Sequence, residues 1–359
     1  MSSTKQQDGG QGSPVRLGLI GLGMAGTVLH LPSLRRNRRA QIVAVSDVSE
    51  ARLSQFSSTF PDLQVRKEVD YRAVIENPEV DAVFIASPTP SHAGIAIDAL
   101  KANKHVFCEK PISNTVADAE RMIEESQRHP DMILMIGQVL RFWPEYVQIK
   151  KQIEFGKIGT PVIARAYRAN PMPASTFYEV DELSGGVILD LCLHDIDFLS
   201  WAMGPVKSVF AQGGNLSGRG DVIDYAQIHF NFESGAIAYL ETNWALPDTF
   251  PFSTAIEIVG TKGMIAADNT SSRASFQMTV KGQKPVASSI AELNGYHYEQ
   301  DAFLKSVQNK TKSPMEASAA LDSLRLAFAA KESIKSGKLI EITAKDAARA
   351  EDTARAGVV

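Results

Sequence analysis

Two short stretches of this chain carry side chains suited to moving protons and stabilising charge. The first, Cys108-Glu109-Lys110-Pro111, follows an apolar run, so Lys110 stands at the carboxyl end of a strand, where open α/β sheets bind ligands. Its ammonium can polarise a carbonyl or stabilise a developing alkoxide. The second runs from Gly185-Gly186 to Asp190 and His194, which are four residues apart and share one face if the segment is helical. A carboxylate so placed can orient the imidazole, and His194 can then take up an alcohol proton and return it near neutral pH. Each group also has a plainer reading: Lys110 as a surface charge, His194 as a buried ring satisfied by Asp190. Asp190, Cys192 and His194 are all competent metal ligands. A helix turns Cys192 away from the other two, so no metal is expected.

A third stretch, Gly21-Leu22-Gly23-Met24-Ala25-Gly26, lies between an apolar run and a helical one. The first glycine permits a tight turn, the second a close approach of backbone to a pyrophosphate, and the third close packing of helix on strand. Amides at the helix N-terminus then hold the anion. Six residues alone carry little weight, but Asp47 ends the next strand, where a carboxylate accepts hydrogen bonds from ribose hydroxyls. That carboxylate also repels a 2'-phosphate, which favours NAD. Arg52 and the cluster Arg35, Arg36, Arg38 and Arg39 keep NADP possible.

These groups need a scaffold, and the pattern supplies one. Strands are expected at Val15–Ile20, Gln41–Val45, Ala82–Ala86, His105–Cys108 and Met132–Ile136, alternating with helices at Thr27–Leu34, from about Glu50, at His92–Ala102 and at Val116–His129. Such alternation means a doubly wound parallel sheet covered on both faces. Beyond Gly137 a helix near Pro144–Phe155 and a strand to Arg168 lead into strand-like segments from Val206 to Val280, a broad antiparallel sheet, before helices return at Tyr298–Gln308 and Met315–Ser336. The expected organisation is a tail at 1–13, a Rossmann dinucleotide-binding domain at 14–136, an α/β substrate and oligomerisation domain at 137–345, and a helix or tail at 346–359.

At 359 residues, with 44% apolar and 22% charged residues, the chain suits two globular cores. A net charge of -4 argues against a nucleic-acid surface, and the arginine cluster reads as a solvated helix end. Two distant cysteines, Cys108 and Cys192, form neither a disulfide framework nor a zinc motif and fit a reducing cytoplasm. Neither a standard signal peptide nor a membrane span is expected.

Taken together, these stretches resemble the glucose-fructose oxidoreductase, inositol dehydrogenase and MocA family of NAD(P)-dependent oxidoreductases. The motifs that carry the resemblance are Gly21 to Gly26, Ala86-Ser87-Pro88-Thr89-Pro90-Ser91-His92, Glu109-Lys110-Pro111, Gly156-Lys157-Ile158-Gly159-Thr160-Pro161, and the Gly-Gly stretch before Asp190 and His194. It implies a catalytic set of Lys110, Asp190 and His194. It also implies a cofactor cleft that includes Gly21, Leu22, Gly23, Met24, Gly26, Asp47, Ser87, Pro88, Thr89, His92, Glu109, Lys110 and Gln138. The open sheet is implied to lie beneath the substrate pocket and to join subunits as a homodimer or homotetramer. Inositol dehydrogenases are nearest in character, because Arg168 and Asn170-Pro171 fall where that group contacts substrate; Lys110, Asp190 and His194 complete the implied substrate contacts. Leu140 stands where a second arginine is expected beside Arg141, so the polyol pocket differs. Trp143 and Tyr146 read as packing residues. The expected activity is reversible oxidation of a secondary alcohol on a cyclic polyol or sugar. A non-catalytic NAD(P)/sugar-binding regulator, and an enzyme using bound NAD transiently in a net non-redox reaction, are the alternatives.

Overall fold

The structure, a computed structural model, describes residues 13–269, 276–283, 286–288 and 294–342. The expected tails, apart from Ser13, lie outside the described residues.

Six strands, β1 (Val15–Ile20), β2 (Ala40–Ser46), β3 (Arg66–Glu68), β4 (Ala82–Ile85), β5 (His105–Glu109) and β6 (Leu134–Gly137), form a parallel sheet in the order 3-2-1-4-5-6. Because helices cover both faces, the central strand β4 is apolar throughout, and every one of its residues is buried. One face builds a core in which the stacked rings of Phe84 and Phe107 meet Phe303 from the helix Gly295–Asn309. The other face, including Ile85, Val106 and Cys108, packs on the helices His92–Lys101 and Val116–Arg128 and runs into the core of the second sheet.

Strand β3 and the short helix Tyr71–Ile75 were not anticipated. Arg66 and Lys67 are exposed on the sheet edge, so this strand has no apolar alternation to betray it. The expected helix at Thr27–Leu34 is instead a π-helical turn, Ala25–His30, followed by an α-helix, Leu31–Arg36.

The second sheet has nine strands among the described residues: β7 (Pro161–Ala169), β8 (Val206–Gly214), β9 (Tyr225–Phe232), β10 (Ile237–Asn243), β11 (Ser253–Gly260), β12 (Gly263–Asp268), β13 (Phe276–Val280), β14 (Val286–Ser288) and β15 (Ile340–Glu341). Their order is 14-13-12-11-7-10-9-8-15, antiparallel except where β7 runs parallel to β10. Alternation places Ala226, Ile228, Phe230 and Leu240 on the buried face. The helices Leu193–Met203 and Ala317–Ser336 pack there. Strand β7, which ends in Arg168 and Ala169, sits in the middle of this sheet, so its last residues are delivered to the seam between the two sheets. No helix among the described residues is long and apolar enough to cross a membrane.

Candidate active site

The strand order reverses between β1 and β4, and a cavity of about 940 Å³ opens at the carboxyl ends of these strands. The glycine turn forms one end. Gly21 holds a φ of +98°, and a Cβ there would lie 2.5 Å from the backbone of Ala86. A Cβ on Gly26 would lie 2.1 Å from the Gly21 carbonyl oxygen, so the chain turns back on itself only without side chains. A Cβ on Gly23, by contrast, meets nothing closer than Arg52 at 3.8 Å, which leaves a bare backbone edge facing the cavity. This cradle fits a dinucleotide pyrophosphate.

Gly21, Gly23, Met24, Ser87, Pro88, Thr89, His92, Glu109 and Lys110 line the cavity as expected. Leu22, Gly26, Asp47 and Gln138 do not. The Asp47 carboxylate is buried behind the turn, where it accepts hydrogen bonds from the Leu22 and Ser49 amides at 2.9 Å each. Gln138 is buried with both amide atoms unpartnered, away from the cavity lining. His92 is occupied rather than available. Its two ring nitrogens lie 2.8 Å from the carbonyls of Ser87 and Pro111, so it braces the ends of β4 and β5 against each other. Burial keeps its pKa below the ordinary value, and the neutral ring donates to one of the two carbonyls.

Lys110, Asp190 and His194 converge on the opposite side of the cavity, with Arg168 and Asn170 beside them. The expected bond between Asp190 and His194 is absent. Residues Ile188–Cys192 form a π-helical turn before the α-helix Leu193–Met203, so Asp190 and His194 belong to two different helical segments. Asp190 turns instead to Lys110, whose Nζ donates to the Asp190 backbone carbonyl and, at 3.1 Å, to its Oδ1. His194 Nδ1 is buried with no protein partner. Burial, then the positive charges of Lys110 and Arg168, hold the His194 pKa well below the usual imidazole range. The ring is therefore neutral and able to accept a proton. Cys192 is wholly buried in the core and does not line the cavity.

Arg168 faces the cavity from the end of β7, but its fork is engaged. Nε and Nη2 donate to the fully buried Asp195 at 2.5 and 2.9 Å, and Nη2 also donates to Tyr146 Oη at 3.2 Å. Tyr146 thus does more than pack. Its hydroxyl also lies 3.1 Å from Thr254 Oγ1 and links β11 to the site. Asn170 donates to the Pro171 carbonyl, and its Oδ1 is buried without a donor. Trp143 lines the cavity too.

Sequence reasoning did not find Tyr178 and Tyr296, which line the same cavity. Burial and the neighbouring Asp190 push the Tyr178 pKa up to about 12, so its hydroxyl stays protonated. Tyr296 was placed outside any element because a helix was expected only from Tyr298. The signal was Asn294, whose side chain caps the helix by accepting from the His297 amide, so that the helix starts at Gly295.

Comparison with known proteins agrees with this geometry. Residues 15–138 match a family model described as the oxidoreductase family with an NAD-binding Rossmann fold, and residues 146–266 match the GFO/IDH/MocA C-terminal domain. The chain is 33% identical over 337 residues to a myo-inositol 2-dehydrogenase of Thermotoga maritima, covering 91% of this chain and 98% of the relative. It is 30% identical over 260 residues to a scyllo-inositol 2-dehydrogenase (NAD(+)) of Bacillus subtilis, covering 70% and 73%. A solved structure described as a probable dehydrogenase from Thermotoga maritima superposes with a TM-score of 0.78 at 33% identity, covering 91% of this chain and 98% of that one.

Proposed function

The chain belongs to the Gfo/Idh/MocA family of oxidoreductases, and on that premise we propose that it reversibly oxidises a secondary alcohol of a cyclic polyol or sugar. Bound NAD supplies the hydride acceptor. His194 takes the hydroxyl proton; it is suited to this because the ring is neutral and its Nδ1 has no partner. Lys110 stabilises the negative charge that develops on the substrate oxygen. Asp190 aims Lys110, holding the ammonium through both its carbonyl and its carboxylate, and has no part in orienting His194. Asn170 Oδ1 offers an acceptor for a further substrate hydroxyl. The single observation that carries this reading is that Lys110 and His194 open into one cavity whose other end is the glycine turn.

Two inositol dehydrogenases among the relatives support the polyol class. Asp47, just after β2, supports NAD over NADP by its negative charge behind the turn, which is offset by Arg52, a cavity-lining cation 3.6 Å from it. The outer face of the second sheet supports a homo-oligomer. It presents partly exposed Tyr167, Tyr225 and Tyr239 together with Ile163 at 44% and Ile237 at 50% exposure, interspersed with the charged pair Arg165 and Glu257, a mixed aromatic and polar surface of the kind that partners cover. The two buried free cysteines are consistent with a cytoplasmic enzyme.

A screen of inositols, aldoses and anhydrosugars with NAD and then NADP tests the proposal. NADH formation with at least one cyclic polyol or sugar, and weaker turnover with NADP, is the expected result. Failure of every such alcohol to reduce NAD, with the cofactor demonstrably bound, would overturn it.

A further inference from the structure

Behind the Lys110 wall lies a buried cluster that the reaction as read above does not use. Glu299, in the helix Gly295–Asn309, is fully buried, and neither of its carboxyl oxygens has a hydrogen-bond partner. One of them lies within 4.8 Å of a ring nitrogen of His30 and of a carboxyl oxygen of Glu109. Glu109 is well served by contrast: its Oε1 is 2.6 Å from His30 Nε2, and its Oε2 accepts the Lys110 backbone amide at 2.9 Å. Gln300 Nε2, 2.8 Å from His30 Nδ1, donates to that nitrogen, which leaves Nε2 as the protonated nitrogen that donates to Glu109. The cluster therefore grips the strand end that carries Lys110.

Two ionised carboxylates this close in the interior repel each other and lose hydration with nothing to replace it. Glu109 has a donor on each oxygen and Glu299 has none, so the charge resides on Glu109. A divalent cation is the other way to neutralise such a pair. The 2.6 Å contact between His30 and Glu109 is a hydrogen bond, shorter than the roughly 3.3 Å that separates neighbouring ligands around a tetrahedral zinc ion. A proton fits where an ion does not.

We propose that Glu299 is a positioning residue for Lys110: it faces the Glu109 carboxylate as a neutral carboxylic acid, so that Glu109 keeps its charge, its bond to His30 and its hold on the Lys110 backbone. The inference rests on reading Lys110 as catalytic. The surroundings agree. Burial and the Glu109 charge push the Glu299 pKa well above the carboxylate range, while His30 and Lys110 outweigh burial and lower that of Glu109. Tyr296, one turn before Gln300, lies edge-on to the His30 ring at 5.5 Å; burial and the Glu109 charge raise its pKa, so it brings no charge. The other charges on elements packed against this helix are committed or solvated. Arg141 binds Asp197, Arg39 binds Asp301, Arg16 binds Asp81, Arg35 binds Asp62, and Arg36 and Arg38 are exposed.

The test uses the full chain and three variants, Glu299→Gln, Glu299→Asp and Glu299→Ala. Infrared spectra at neutral pH are expected to show a protonated carboxyl stretch in the wild type that is absent from Glu299→Gln and retained in Glu299→Asp. Glu299→Gln, a neutral isostere, is expected to keep kcat within about two-fold, whereas Glu299→Asp and Glu299→Ala lower kcat by roughly 10-fold to 100-fold, the effect of displacing a catalytic group by about an ångström, with the KM for NAD unchanged. Three results would overturn the proposal: no carboxyl band lost in Glu299→Gln; a stoichiometric divalent metal in the purified wild type that Glu299→Gln lacks; or full kcat in Glu299→Asp. The infrared arm needs no substrate, so it stands if no polyol is oxidised. Failure of the substrate reading and failure of this one are thereby separated, and should Glu299→Ala not fold, Glu299→Gln and Glu299→Asp still decide.

Discussion

The two ends of the cavity are built on opposite principles. At the glycine turn the work is done by backbone, and the polar groups behind it are already engaged: Asp47 accepts from two amides, and His92, set between two carbonyls, donates to one of them. At the other end the work is done by side chains, with charges held in pairs, Lys110 to Asp190 and Arg168 to Asp195, and with His194 Nδ1 and Asn170 Oδ1 left buried and unpartnered. A seat for a large cofactor needs shape and bare amides, which a rigid turn supplies in advance. A site for a small alcohol needs donors and acceptors whose partners arrive with the substrate, and an unmet buried polar group is what such a site looks like when empty of protein partners.

This contrast can be broken or sharpened by three substitutions. His194→Ala should have the largest effect, lowering kcat by roughly 10² to 10⁴-fold, the range for a positioned acid or base, while leaving NAD affinity unchanged in a fluorescence titration. As the proposed base, the same residue should set the acid limb of kcat/KM. His194 is active as a base only when neutral, and its pKa is depressed by burial, Lys110 and Arg168, so activity should persist as pH falls through 6.5, the ordinary imidazole value, and decline only below it. A limb at or above that value would contradict the environment described here. Arg168→Met comes next. It leaves the fully buried Asp195 without its cation, and chemical denaturation should show a loss of about 3–5 kcal/mol, the cost of breaking a buried pair from one side. Gly26→Ala should have the smallest effect on stability, about 1–3 kcal/mol for forcing a methyl group to within 2.1 Å of the Gly21 oxygen, and should weaken NAD binding with little change in the environment of His194. If Gly26→Ala instead disturbed the His194 pH limb, the two ends would not be independent.

Much of the fold was legible because its signals are local. Apolar runs that alternate with helical periods announce a parallel sheet, and the turn Gly21 to Gly26 marks its reversal point, since steric clash is a property of neighbouring residues. Strand β3 and the helix start at Gly295 escaped because an exposed, charged edge strand has no buried face and a single Asn cap outside the apolar period is easily passed over. The proposed catalytic groups were legible as types: a lysine at a strand end, a histidine and an aspartate after a glycine pair.

Who pairs with whom was a different matter. A helical spacing of four assigned Asp190 to His194, and the packed structure pairs it with Lys110 from the end of β5 instead. Nothing in the local sequence connects Arg168 to Asp195, or His30 to Glu109 and Glu299, residues that come from three separate elements. Composition and periodicity determined that the chain would form two sheets and where the dinucleotide turn would lie. Only the packed structure decided which charges neutralise one another, because electrostatic partnership depends on distance and burial in space, and those are settled when the elements close on each other.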